Sequence, residues 1–173
     1  MTLQPVLPKG KVTFRIIENS DDEFLFQLYA STRAEEMDAV IGWSEGDKEH
    51  LLRGQFHAQS HYYALGYIGA IHRIIQLDGV DIGRLIVNRA DDHMRIIDLS
   101  LLPDYRGRGI GTDILRSLMN EAHGGKVPVR LAAIIGSPAA RLYLRHGFLP
   151  VERRGYHVEL EWKYDGDGGV VRS

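Results

Sequence analysis

Three glycines, Gly107, Gly109 and Gly111, alternate with Arg106, Arg108 and Ile110 in the segment Leu101 to Thr112, LLPDYRGRGIGT. An apolar run ends at Leu102 and an amphipathic one begins at Ile110. The first amides of a helix have no partner inside the helix, so at such a junction they point into the loop. With the helix dipole they favour an anion there. Glycines let that anion approach the backbone closely, and Arg106 and Arg108 add positive charge. A nucleoside triphosphate needs the Lys-Ser/Thr pair of a P-loop, which is missing. A dinucleotide needs G-x-G-x-x-G early in a strand-helix-strand unit. Here the third glycine comes one residue early and the unit sits late in the chain. The pyrophosphate of coenzyme A is the reading left, with a dinucleotide as the weaker rival.

Other side chains could do chemistry. Asp98 stands alone among Ile96, Ile97, Leu99 and Leu101. Burial would raise a carboxyl there toward the range useful for deprotonating an ammonium; a structural carboxylate paired with an arginine is the equal alternative. His57 and His61 are four apart, but zinc would need a third ligand and none is near in sequence. His57 and His61 read first as a solvated helix face, and His157 and Glu159 as surface strand residues; with Glu35, Glu36 and Trp43 they could instead border a small-molecule pocket. Arg33 could bind a carboxylate of such a molecule or sit on a wet face. Arg116, Arg141 and Arg145 read first as a solvated helix face. There are no cysteines, which removes disulfides, thiolate metal sites and a covalent cysteine mechanism.

The elements that must position these groups follow from pattern. Val12–Ile17 reads as a strand. Ser20 and the acidic turn Asp21, Asp22, Glu23 open a helix with Phe24, Leu25, Leu28 and Tyr29 on one face. A second helix begins after Ser44 and runs to about His61, with Leu51, Leu52 and Phe56 inward; Met37–Trp43 between them reads as an irregular turn. Arg73–Leu77 and Gly79–Val87 form a hairpin at Asp78-Gly79, since both residues tolerate positive φ. Met94–Leu102 is a third long strand, expected to be buried on both faces. Ile110, Ile114, Leu115, Leu118, Met119 and Ala122 define the helix after the glycine loop, and Gly124-Gly125 stops it. Val129–Ile135 is another strand. Ser137-Pro138 caps a short helix that Gly147 ends, and Leu149–Arg153 with His157–Lys163 closes the chain. The order gives an α/β fold: a mixed, mainly antiparallel central sheet with helices on both faces.

Arg106-x-x-Gly109-x-Gly111 resembles the R/Q-x-x-G-x-G/A signature of the GNAT superfamily of acyl-coenzyme A-dependent N-acyltransferases. Leu101-x-Pro103 upstream, and Leu115 and Leu118 downstream, extend the match. Ala140 to Phe148, ARLYLRHGF, resembles the family's A-x-x-L-Y-x-x-x-G-F motif. The resemblance implies that the amides of Gly107, Arg108, Gly109, Ile110, Gly111 and Thr112 hold the pyrophosphate. It implies that the backbone at Leu101 pairs with the pantetheine arm, with its amide near the thioester oxygen, where it would stabilise an oxyanion. Tyr143 falls on the tyrosine that protonates the departing thiolate; a phenol, with an unperturbed pKa of about 10, carries its proton at neutral pH. Ser137 stands where many relatives have a ligand-contacting Asn, and reads as a plain cap. Leu131 stands where some relatives have a catalytic Glu. The implied activity is acetyl transfer from acetyl-coenzyme A to a small-molecule or peptide primary amine, without a metal, with Tyr143 and Asp98 as catalytic candidates. A non-catalytic acyl-coenzyme A-binding module is the alternative.

Length bounds the organisation: 173 residues suggest one domain, read as 1–164, with a flexible tail at 165–173 where glycines sit among charges. A net charge of −2 gives no bulk attraction to nucleic acid or an anionic membrane. Met1 to Gly10 lacks the apolar core of a signal peptide, and no apolar run has the length of a membrane span. A cytoplasmic protein is the expectation, and an exposed edge of the sheet could support a homodimer.

Overall fold

A computed structural model of the protein describes residues 10–164. The tail expected at 165–173 lies outside the described residues. The elements are β1 (Val12–Ile16), α1 (Asp22–Thr32), α2 (Ala34–Asp38), α3 (Glu45–Gly66), β2 (Ile71–Leu77), β3 (Val80–Arg89), β4 (Met94–Leu101), α4 (Ile110–Gly124), β5 (Val129–Ile134), α5 (Pro138–Arg145), β6 (Leu149–Arg154) and β7 (His157–Trp162). The seven strands form one sheet in the order β1-β2-β3-β4-β5-β7-β6, antiparallel except for β4 beside β5.

Helices cover both faces. All six inward positions read for α4 are buried, and with Ala140 and Tyr143 of α5 they close the larger core over Ile75, Leu85, Ile96 and Leu131. On the opposite face Leu25, Phe26 and Tyr29 of α1 meet Leu52 and Phe56 of α3 above Ile74. The hairpin turns as its residues require, with Asp78 at φ 51° and Gly79 at φ 83°.

Three expectations change. A 3-10 turn at Asn19–Asp21 precedes α1, and its Asp21 is buried against Arg15 at 2.7 Å rather than exposed in a helical first turn. Part of the expected irregular stretch before Trp43 is the short helix α2. And α3 continues past His61 to Gly66, which carries Tyr62 and Tyr63 with it.

One feature of the sheet governs the rest. β4 and β5 pair only at Met94–Val129 and Arg95–Arg130. Just beyond, the register of β3 against β4 shifts between Ile86 and Val87, so that Ile97 is an extra residue in β4. A bulge bends and twists its strand; here it turns the rest of β4 away from β5. Among the described residues, from Ile96 onward β4 pairs only with β3, and past Arg130 β5 pairs only with β7. The strands part into a wedge, and β4 beyond Ile96 is half-buried rather than buried on both faces.

β3 can follow the bend of β4 because Gly83 lies under it. A Cβ at Gly83 would stand 2.3 Å from the Ser100 carbonyl oxygen. Gly83→Ala should therefore destabilise the fold by about 1–3 kcal/mol through overpacking, read as a lowered midpoint in urea unfolding. An unchanged midpoint would mean that β4 can shift freely.

Candidate functional site

Where β4 ends, Pro103–Tyr105 makes a single 3-10 turn and the glycine loop follows. Gly107 and Gly109 have φ of +70° and +82°, a region that L side chains rarely adopt, and a Cβ at either would meet nothing within 4 Å. Gly109 is the N-cap of α4 and supplies no side-chain cap. The leading amides of Ile110, Gly111 and Thr112 thus have no partner inside the helix and no cap from Gly109, at the positive end of a 15-residue helix. Arg108 lies over the Tyr105 ring, 5.5 Å from its centroid.

Arg106 points elsewhere. Its Nε donates to the Leu101 carbonyl at 2.8 Å and its Nη2 to Ser31 Oγ at 2.9 Å, tying the loop to the end of β4 and to α1. The Leu102 amide donates to Ile82 of β3 at 2.8 Å. By strand alternation the Leu101 amide faces the other edge, into the wedge.

Tyr143 is on α5, whose first turn is capped by Ser137 Oγ accepting from the Ala140 amide at 3.1 Å. Its ring is buried, 5.7 Å from that of Phe148. Burial pushes its phenol up to about 12, and the Asp98 carboxylate pushes in the same direction. Asp98 is anchored by Arg84 of β3, which is 6% exposed. Arg84 Nε donates to Asp98 Oδ2 at 2.6 Å, its Nη2 pairs with the same oxygen, and Ser100 Oγ lies 3.5 Å from it. Arg84 also donates to Gln59 of α3 at 3.1 Å and lies 5.8 Å from the centroid of the Tyr63 ring. Tyr63 is likewise pushed up to about 12, by burial first and then by Asp98. His72, across β3 from Asp98, is held below its usual range, mainly by burial and then by Arg84.

A cavity of about 410 Å³ opens beside the wedge between the end of α3 and the β6-β7 pair. Tyr62, Tyr63 and Tyr67 form one wall, and Arg154, His157 and Glu159 another. Arg95 Nη2 bonds Glu159 Oε1 at 2.9 Å across its floor. The resemblance puts Leu131 at the position of an acid on β5, but Leu131 is 1% exposed in the core. Ala132, one residue on and therefore on the other face, lines the cavity.

The structure thus brings Leu101, the glycine loop, Tyr143 and Asp98 around one wedge, with His157 and Glu159 on the adjoining cavity. His57 stacks on Phe56 and does not line it. Sequence reading missed Arg84 and the three tyrosines. A lone arginine in the apolar run Ile82–Val87, facing a lone aspartate in the next strand, was the available signal for the first. HYYALGY has no apolar period to announce the second.

A family model described as Acetyltransferase (GNAT) domain matches residues 59–150. Solved structures share the fold. A PaiA N-acetyltransferase from Thermoplasma acidophilum, in complex with coenzyme A, aligns with a TM-score of 0.65 at 18% identity over 89% of this chain and 99% of its own. The ribosomal-protein-S18-alanine N-acetyltransferase from Escherichia coli gives 0.61 at 16% identity, over 91% of this chain and 97% of its own. A GCN5-related N-acetyltransferase from Rhodopseudomonas palustris gives 0.63 at 17%, over 91% and 98%. No curated protein sequence matches the chain.

The two raised phenols have a consequence for stability. Below pH 10, the ordinary phenol value, both are protonated in the folded and unfolded chain alike. Between about 10 and 12 only the unfolded chain ionises, so stability present below pH 10 should be lost as pH rises. Urea midpoints measured across that range should fall, and Tyr143→Phe should flatten the fall. An equal slope in the variant would mean that Tyr143 titrates as it does when unfolded.

Proposed function

Because the chain belongs to the GNAT acetyltransferase family, we propose that it moves the acetyl group of acetyl-coenzyme A directly to a primary amine held in the tyrosine-walled cavity. The observation that carries this reading is the wedge between β4 and β5, with an uncapped glycine loop at its mouth and a protonated phenol beside it.

The residues present fit the donor. The open amides after Gly109, with positive φ at Gly107 and Gly109, suit a pyrophosphate. The outward edge of β4 suits a pantetheine arm that pairs as an added strand, for which the Arg106 side chain would leave the Leu101 carbonyl. In the reaction the amine nitrogen bonds to the thioester carbon and the carbon–sulfur bond breaks. The Leu101 amide is aimed to hold the oxygen that becomes negative. Tyr143 gives its proton to the leaving thiolate; a phenol pushed up to about 12 keeps that proton until a strong base appears. The contacts to Asp98 fall on Oδ2, and Oδ1 is the atom proposed to take the proton of the attacking ammonium, directly or through water. A purely binding role for the domain finds support in the lack of a carboxylate on β5 facing the cavity.

Release of free thiol from acetyl-coenzyme A in the presence of an amine library separates the two. Binding without thiol release with any amine would favour the binding module. Tyr143→Phe keeps the ring and its packing, and should cost about 10²- to 10⁴-fold in turnover with near-normal coenzyme A affinity. Wild-type turnover with chemistry rate-limiting would remove Tyr143 from the mechanism. Asp98→Asn should lower turnover with near-normal coenzyme A affinity if the carboxylate is the base; a drop in the urea midpoint with turnover retained in the folded fraction would make it a structural partner of Arg84. Gly109→Glu places bulk and negative charge at the loop and should abolish coenzyme A binding by calorimetry; undiminished affinity in a folded variant would refute the loop assignment.

A further inference from the structure

Two arginines stand beneath α1, α2 and α3. Arg84 is buried and matched by Asp98. Arg33, at the corner between α1 and α2, has a side chain 31% exposed, with Glu36 and Tyr29 as its polar neighbours. Its Nη1 reaches Glu36 at 2.9 Å, but that carboxylate is 58% exposed, and such a pair contributes little in water. Its Nε is buried with no hydrogen-bond partner, the single side-chain nitrogen or oxygen in that condition among the described residues. A buried donor left unsatisfied costs free energy that a ligand acceptor would recover.

The position of this donor is informative. The guanidinium lies 5.6 Å from the centroid of the Tyr29 ring, and its charge acts on Tyr63, which walls the acceptor cavity. Two residues before it, Ser31 accepts from Arg106, whose Nε bonds the Leu101 carbonyl. Arg33 therefore stands within electrostatic reach of Tyr63 and near the end of β4, beside the cavity rather than in its lining. A planar guanidinium with a free Nε edge suits a carboxylate better than any neutral group.

We propose that Arg33 receives a carboxylate of the acceptor, so that the amine acetylated by this protein is an amino acid or a related amine with a carboxylate. The proposal rests on the acetyltransferase reading above. Glu36 holds Nη1, the substrate carboxylate takes the Nε edge that Glu36 leaves without a partner, and the tyrosine wall accommodates the body of the molecule.

The test uses amino acids of graded spacing between amine and carboxylate, each beside its neutral primary amide, at saturating acetyl-coenzyme A. Wild type should favour the acid over the amide at the best spacing. In Arg33→Gln, kcat/KM for the acids should fall about 10- to 100-fold, carried by KM, and the acid-to-amide ratio should collapse toward one. Arg33→Lys should recover part of the preference. Calorimetric titration of the coenzyme A-loaded protein with the same pairs reads the preference without turnover. Tighter binding of the acid by wild type and its loss in Arg33→Gln would uphold the role of Arg33 even if no amine were acetylated, a result that would sink the catalytic reading alone. Equal acid and amide binding by wild type, an unchanged ratio in Arg33→Gln, or a loss of coenzyme A affinity in place of acid affinity would each overturn the proposal.

Discussion

Past Arg95 the facing edges of β4 and β5 have no strand to pair with among the described residues, although they lie in the middle of a seven-stranded sheet. Interior backbone groups left unpaired are costly, so a sheet tolerates such a gap only where water or a ligand completes it. The rest of the molecule is arranged around that gap. The bulge at Ile97 opens it, and Gly83 lets β3 follow the bent strand. α4 starts where β4 ends, so its uncapped amides stand at the mouth. α5 returns from β5 and sets Tyr143 beside the opening. One missing ladder thus fixes where the proposed donor would lie, and with it which side chains could reach its carbonyl.

The buried Arg84–Asp98 pair is the second constraint. Apolar side chains of similar volume would fill its place at equal or lower cost, whereas removing one partner from such a pair typically costs about 3–5 kcal/mol. Stability alone does not account for it. Burial raises the two phenols nearby; Asp98 adds to it at both Tyr63 and Tyr143, and Arg84 opposes it at Tyr63. A carboxylate fixed by an arginine from a neighbouring strand keeps its position while substrates come and go.

The fold was largely legible in the sequence, because its strongest signals are local. The six apolar positions of α4 recur at helical spacing, and all are buried. Asp78-Gly79 announces its turn through backbone conformation alone. The wedge was not legible, because a missing pairing leaves no mark in a run that alternates as a paired strand would. Arg84 was passed over because a single charge in an apolar run gains meaning only beside its partner. The face of β5 shows how fine the limit is. A one-residue difference moves a side chain from core to cavity, and motif spacing pointed to Leu131 where the pleat presents Ala132.

The two halves of the site are also held differently. α4 buries six of its 15 residues in a continuous apolar seam, so the glycine loop begins from a rigid helix. α3 is longer, at 22 residues, yet buries only Leu52 and Phe56. Toward its end it meets α1 and then the sheet through polar side chains spaced four apart. Gln55 accepts from Tyr29 at 3.3 Å, Gln59 accepts from Arg84, and Tyr63 stands beside Arg84 and the cavity. Hydrogen bonds to a half-solvated helix resist opening less than close-packed apolar contacts do. The loop side of the wedge is therefore built for one fixed shape, while the cavity side rests on an element that can shift by a side chain's reach. On the proposed reading, that division would let the wedge and loop stay constant while the cavity wall contributed by α3 is retuned to a different amine.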